Sequence, residues 1–359
     1  MAEGSTSLQT ESGSSHPDVD GTGFLCSRCA EEGRADSAEV QCTSCVKNYC
    51  QSCSQAHSTL MPDHPLLGMD LLHRWAEVEQ TDIAKKSCDV DATAPRIRKF
   101  KVRSKKDVKE CNISDICQLA NGQYVAVDYS NKNIKLYGEN FKVLARHEFK
   151  SWPRCVAPIA NTEVAVTIGE LDKPGEVHFV STTGGHLKLS KKIKMEHFCS
   201  GIAHFDKHTY VGSRDSIFKY VLKDQLIGKI YEDSPSGAYS FSVNKFKLVE
   251  DGTKLYVSDW KHNRMVILDN QGQQLSTLVL DEDLVYGASG IAVGMDGRVF
   301  MSGIASKNVV QVFPETGGEL TTLAGEADGV VGPNAVWIDE RLNKLVVAQT
   351  GDTVLLVQL

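Results

Sequence analysis

This 359-residue chain lacks any run approaching the ~20 consecutive apolar residues that a bilayer-spanning helix requires, so no helical membrane span is expected. Its opening residues, MAEGSTSLQTESGSSHPDVDGTG, have neither the basic start nor the apolar core of a signal peptide. Rich in Ser, Gly and acidic side chains, residues 1–22 read as a disordered leader, and the expected location is cytoplasmic. In a reducing compartment the Asn112-Ile113-Ser114 triplet is not a glycosylation site, and closely spaced cysteines are metal ligands sooner than disulfides. Also missing are His-Glu-x-x-His, Gly-x-Ser-x-Gly and a glycine-rich phosphate loop. Their absence removes the common signatures of metalloprotease, serine-hydrolase and nucleotide chemistry, and no enzymatic activity is expected.

Charge is unevenly spread behind a net of −7. Residues 1–95 carry 6 basic and 15 acidic side chains, whereas residues 96–230 carry 24 basic and 14 acidic, and residues 231–359 carry 9 and 17. The basic stretch hints at an acidic or nucleic-acid partner, although charge distribution says nothing about fold.

Six of the eleven cysteines fall between positions 26 and 53, in three Cys-x-x-Cys pairs followed by two histidines: C-x2-C-x12-C-x2-C-x4-C-x2-C-x3-H-x6-H. A Cys-x-x-Cys knuckle lets two thiolates grip one ion from a single turn, and four ligands close a tetrahedral zinc shell. The eight residues Cys26, Cys29, Cys42, Cys45, Cys50, Cys53, His57 and His64 therefore make two structural Zn2+ sites with no position left for a catalytic water. The competing reading, a redox thiol pair or buried cysteines, does not account for three pairs followed by two histidines. Large apolar residues are sparse between Phe24 and Leu67. So short a segment cannot fold on burial alone, whereas structural zinc contributes on the order of 10–16 kcal/mol. His16 and His73 lie outside the spacing and read as solvent-facing; Cys88, Cys111, Cys117, Cys155 and Cys199 read as core or incidental thiols.

Spacing leaves open whether the ligands pair sequentially or interleave. The run FLCSRCAEEGRADSAEVQCTSCVKNYCQSCSQAHSTLMPDHPLL resembles the B-box of tripartite-motif (TRIM) proteins, including the Tyr49-Cys50 step and the His57…His64 tail. That resemblance implies a cross-braced module over residues 23–68. Cys26, Cys29, Cys50 and Cys53 would hold one ion, and Cys42, Cys45, His57 and His64 the other. It also implies weak self-association through the module. After it, Leu71, Leu72, Trp75, Val78 and Ile83 recur at helical spacing, so residues 69–95 read as a short helix and linker, too short for the long coiled coil of a TRIM protein.

Residues 96–359 are strand-like and periodic. Tyr124-Val-Ala-Val-Asp128 with Asn133-Ile-Lys-Leu-Tyr137, and Leu255-Tyr-Val-Ser-Asp259 with Asn263–Asp269, exemplify a repeating unit. Weaker copies start at Val164, Tyr210, Val299 and Leu345, giving separations of 40, 46, 45, 44 and 46 residues. That period is expected of four-stranded propeller blades. Each unit opens with a further strand, as in Gly201-Ile-Ala203 and Gly290-Ile-Ala-Val293. Six copies fit, and the last ends early at Leu359, so Arg98–Arg103 is expected to supply its outer strand and close the ring. The Gly-hydrophobic-Ala opening with Asp-x-x-x-x-Asn at the turn resembles the NHL repeat. The chain is thus expected to be mainly β: a small zinc module followed by a six-bladed NHL-type propeller, similar to TRIM-NHL proteins. It departs from them at the front, where they carry a RING; no cysteine precedes Cys26, so no RING is expected.

The expected function is a non-catalytic, zinc-binding adaptor. Loops entering each inner strand and loops between second and third strands share one propeller face. They carry Trp152, Arg154, His197, Tyr239 and Tyr286 in the first set, and Trp260, Lys261 and Arg264 in the second. Rings beside cations suit a protein partner, or stacking and phosphate contacts with single-stranded or stem-loop RNA, as the TRIM-NHL resemblance implies. The plainer reading is that such residues only cap blades. A part in ubiquitin transfer beside a RING-bearing partner is the alternative, and a calcium-dependent propeller enzyme a more distant one; Asp128 and Asp259 read as turn residues instead of hub ligands.

Overall fold

The computed structural model describes residues 25–42, 47–61, 66–68, 97–221, 225–233, 242–243, 245–249 and 251–359. They divide into two compact units, Met1–Ala94 and Pro95–Leu359. The helix expected within 69–95 lies outside the described residues.

In the first unit, α1 (Ser27–Glu31) and α2 (Gln51–Leu60) accompany a three-stranded antiparallel sheet of β1 (Val40–Cys42), β2 (Lys47–Tyr49) and β3 (Leu66–Gly68), with β1 in the centre. Its buried cluster consists of Cys26, Cys29, Cys42, Cys53 and Tyr49, with Val40 and Cys50 against it. Sulfur atoms make up most of this core, as expected of a segment too poor in aliphatic residues to fold by burial alone.

The second unit is a six-bladed propeller, each blade a four-stranded antiparallel sheet. Blade 1 comprises Ile113–Gln118, Tyr124–Asp128, Asn133–Tyr137 and Val143–Glu148. Blades 2 to 5 follow the same meander, starting at Pro153–Ala160, Ile202–Phe205, Lys245–Leu248 and Ala288–Val293. Blade 6 takes three strands from the C-terminus, Pro333–Asp339, Lys344–Gln349 and Thr353–Gln358, and its outer strand from Ile97–Lys101. The closing ladder runs from Thr353↔Lys101 to Val357↔Ile97. Val102 and Arg103 leave it, because Val102 N–H donates to the Asp352 carbonyl at 2.9 Å and Arg103 pairs with the Asp352 carboxylate at 2.9 Å.

The burial patterns explain why middle strands read as continuous apolar runs and outer ones do not. Tyr124–Asp128 and Asn133–Tyr137 are buried at every position, while Lys188–Lys194 is exposed at all but one. A strand sandwiched between two neighbouring blades buries both faces; an outer strand keeps its polar side in water. Each seam between blades holds one hydrophobic cluster, such as Val125, Val127 and Ile134 against Val156, Val164 and Val166. Where inner strands converge the repeat needs glycine: a Cβ on Gly290 would sit 2.6 Å from Ala335 Cα.

A fully buried ion cluster pins the chain as it passes from blade 6 into blade 1. The Lys135 ammonium lies 2.6 Å from Asp107 Oδ2 and 2.8 Å from Asp128 Oδ2, and donates to the Val102 carbonyl at 3.3 Å. Tyr137 O–H donates to the same carbonyl at 2.8 Å. Burial would strip the proton from Lys135, but the two carboxylates outweigh it and hold its pKa above the ordinary value. Arg146 Nε also lies 3.2 Å from Asp107 Oδ1, so Lys135→Met is expected to leave Asp128 buried without a counter-ion and Asp107 with Arg146 alone, and to lower stability by about 3–5 kcal/mol. Urea unfolding of the full chain measures this; a loss under about 1 kcal/mol would mean the cluster is not held by its charges.

Candidate metal centre and binding face

Two Cys-x-x-Cys pairs each bracket the start of a helix. Cys26 is the residue before α1 and Cys29 lies in its first turn; Cys50 precedes α2 and Cys53 lies in its first turn. The backbone repeats in both, with Ala30 N–H donating to the Cys26 carbonyl and Ser54 N–H to that of Cys50, each at 2.9 Å. The four cysteines offer sulfur atoms that all lie within 4.8 Å of one another. Cys29 Sγ is 3.6 Å from Cys53 Sγ and 3.8 Å from Cys50 Sγ. A disulfide needs ~2.05 Å. Four thiolates about 2.3 Å from a central zinc would stand about 3.8 Å apart, so the cluster fits a tetrahedral shell.

The electrostatics point the same way. Hydrogen bonds from the Ser52 hydroxyl and the Cys53 backbone hold Cys50 down at about 6, whereas hydrogen bonding with Asp36 and then burial push the Cys29 thiol up. Neighbouring thiols cannot all ionise unaided; a dication in their midst would take the place of the retained protons. Arg34 Nη2, 3.4 Å from Cys29 Sγ, adds a cation that offsets part of the thiolate charge.

Of the four residues expected to hold a second ion, Cys42 and His57 are described. Cys42, in β1, is fully buried. His57, in α2, stacks on Tyr49 with centroids 4.7 Å apart. Cys45 and His64 lie outside the described residues.

On the propeller, the loops entering the inner strands and those joining second to third strands open on one face. There Lys132 Nζ sits 3.8 Å above the Trp152 ring, and the Arg154 guanidinium lies 4.6 Å from the Phe198 ring and 5.6 Å from that of Tyr129. Trp260 and Tyr286 are each 52% exposed, and Lys261 is exposed beside Trp260. Tyr239 lies outside the described residues.

Two of the expected contact residues are engaged within the fold. Arg264 pairs through Nε with Asp259 at 2.6 Å and through Nη2 with Asp233 at 2.8 Å. His197 stacks on Phe218 at 4.0 Å. Its Nδ1–H donates to the Phe198 carbonyl at 2.7 Å, so Nε2 accepts from the Tyr220 hydroxyl at 2.6 Å. Burial lowers its pKa and keeps it neutral in the seam.

Sequence reasoning missed the acidic partners. Asp107 and Asp128 gather with Cys111, and Asp233 and Asp259 with His262, close enough to suggest cation sites. Side-chain cations already occupy both, Lys135 in the first and Arg264 in the second. Asp128 and Asp259 also serve their turns, accepting from the Asn131 N–H at 3.2 Å and the His262 N–H at 3.1 Å. Cys117, Cys155 and Cys199 are buried, which pushes each thiol up to about 12 and leaves it unreactive.

No family model matches the chain, and no curated protein matches it in sequence. Solved structures do resemble it. One is a structural-genomics protein of unknown function from Bacteroides thetaiotaomicron VPI-5482, at TM-score 0.55 and 12% identity, over 73% of this chain and 72% of that one. A second is a streptogramin B lyase, at TM-score 0.52 and 13% identity over 73% and 87%. A third is a catalytically inactive virginiamycin B lyase from Staphylococcus aureus with quinupristin, at TM-score 0.52 and 12% identity over 73% and 88%. At such identities the likeness shows the fold alone: the chain carries a six-bladed β-propeller behind a cysteine cluster able to hold a metal ion.

Proposed function

We propose that this chain is a non-catalytic adaptor in which a B-box-like module holds two structural zinc ions and an NHL-type propeller captures a protein partner. The observation that carries the zinc reading is the choice of cysteines. Among the described residues, Cys26 and Cys29 converge with Cys50 and Cys53 and not with Cys42, which lies between them in sequence. Interleaving of that kind is what a cross-braced B-box requires and what sequential zinc knuckles would not produce. Cys42 and His57, with Cys45 and His64, are the proposed ligands of the second ion. All eight positions being protein ligands, the zinc would supply rigidity and no water for chemistry.

For the propeller, a protein partner is favoured over RNA because three cations of the loops between second and third strands are tied up within the fold. Arg264 is held by two carboxylates, Arg214 pairs with Asp172, and Lys173 with Glu170 at 2.5 Å. Guanidinium and ammonium groups so engaged add little to phosphate binding, while the exposed Trp260 and Tyr286 offer the aromatic anchors on which protein interfaces concentrate their affinity. An enzymatic reading is disfavoured because Lys135 and Arg264 fill the two carboxylate clusters that a catalytic cation would need.

Native mass spectrometry of the freshly purified full chain is expected to show two zinc equivalents, falling to one in Cys50→Ser; none or one in the wild type would overturn the module's assignment. For the face, Trp260→Ala is expected to weaken capture of the protein partner by roughly tenfold or more without moving the unfolding midpoint. Mixed single-stranded RNA is expected not to bind at low salt. RNA binding that falls steeply as salt rises would replace the protein reading with a phosphate-driven one.

A further inference from the structure

At the mouth of the central channel the six blades enclose a cavity of about 120 Å3, and its walls carry positive charge without a matching anion. Its deepest cation is Lys245, the first residue of blade 4's inner strand. Lys245 stands where blades 3 and 5 have Gly201 and Gly290, since the residues that follow, Phe246, Ile202 and Ile291, pair alike with Val257, Val211 and Met301. A glycine position filled by lysine places an ammonium on the axis. Lys245 Nζ donates to the Ser114 carbonyl of blade 1 and the Asn334 carbonyl of blade 6. An ammonium has three protons, so one donor remains for the cavity.

The second cation is Arg154, from blade 2. Its Nε donates to the Gly169 carbonyl at 3.0 Å and its plane is held between Phe198 and Tyr129, which fixes the guanidinium while leaving its two Nη groups available. Among the described residues neither Arg154 nor Lys245 has a carboxylate within ion-pair distance. The buried Asp115 accepts from the Val156 N–H at 3.0 Å and faces Lys247 at 3.8 Å, so its charge is shared between Lys247 and Lys245 and only partly offsets the latter. Burial lowers the pKa of both Lys245 and Arg154, the mark of cations taken from water without full compensation. The wall hydroxyls do not supply that compensation. Ser200 donates to the Val243 carbonyl at 3.2 Å and Ser289 to the Asn334 carbonyl at 3.1 Å.

We propose that the hub is a binding site for a small oxyanion, a single carboxylate or phosphoryl-type group, held between the third N–H of Lys245 and the Nη groups of Arg154. Two desolvated donors converging on a polar cavity of this size suit one such group and no larger ligand. The site shares Arg154 with the expected contact face, but its test stands apart from the partner-capture reading because it requires no macromolecule and does not involve Trp260.

The test is isothermal titration of the zinc-replete full chain with sodium phosphate, sodium sulfate and sodium acetate, at constant ionic strength in a chloride background. Saturable one-to-one binding is expected with at least one of them. Preference for phosphate and sulfate would identify a tetrahedral anion, and preference for acetate a carboxylate. Arg154→Gln is expected to weaken binding by roughly tenfold or more, the scale of one lost charge-assisted hydrogen bond, while Lys188→Gln on an exposed outer strand leaves it unchanged. Lys245→Met should abolish it; if that buried substitution prevents folding, Arg154→Gln alone decides. No saturable heat with any of the three anions, or undiminished affinity in Arg154→Gln, would overturn the proposal.

Discussion

The propeller depends on one pairing: Ile97–Lys101 against Thr353–Gln358, the two ends of a 265-residue unit brought together in one blade. Without it blade 6 would end on a raw edge, and a ring of six sheets would be an open arc with unpaired N–H and C=O groups at both ends. The seam between blades 6 and 1 joins Val346, Ala348 and Val354 to Ile113, Ile116 and Tyr124, so closure also completes the sixth hydrophobic wedge. Lys135, Asp107 and Asp128 then fasten the strap that runs from the closing strand into the first blade. At the hub, Lys245 reaches across to the carbonyls of blade 1 and blade 6, the pair that closure places side by side. The cavity beside it exists only in a closed ring.

The N-terminal unit rests on a different physical basis. Its buried cluster contains Tyr49 and half-buried Val40 but is otherwise sulfur. Adjacent thiols of opposite tendency, Cys50 inclined to ionise and Cys29 to stay protonated, gain little by packing alone. A divalent ion, which the four-cysteine cluster could hold, would resolve the conflict and turn a poor core into a rigid one. The proposed B-box identity adds a second ion and a division of labour in which one unit is stiffened by metal and the other by apolar wedges.

Much of the propeller was legible in the sequence because a blade strand buried on both faces writes a dense apolar run, and the runs return at a nearly fixed interval. The closing strand was legible by counting, since the last unit stopped one strand short. The interior charges were not. The run Arg96–Lys109 alternates basic and apolar residues as a solvated outer strand should, yet Val102 and Asp107 within it are buried, and Asp107 answers a lysine 28 positions on. Lys135 sits mid-strand, where periodicity predicts a side chain in water; Asp128 on the neighbouring strand and Asp107 on the strap from the closing strand make burial tolerable. Arg264 looked like a contact residue because its partner Asp233 belongs to the preceding blade's end. The hub lysine did leave a trace in the sequence, a Lys where the third and fifth units have Gly201 and Gly290, but the trace means nothing until the strands are in register. At the cysteine cluster, spacing offered eight candidate ligands without saying which thiols meet, because that depends on the path of the chain between knuckles.

Hydrogen exchange, read peptide by peptide on the full chain, tests the closing pairing most directly. Peptides covering 97–101 and 353–358 are expected to be protected together and to exchange with the same dependence on denaturant as the inner strands, through global unfolding. Rapid exchange of 97–101 while 353–358 stays protected would contradict the closed ring and everything built on it.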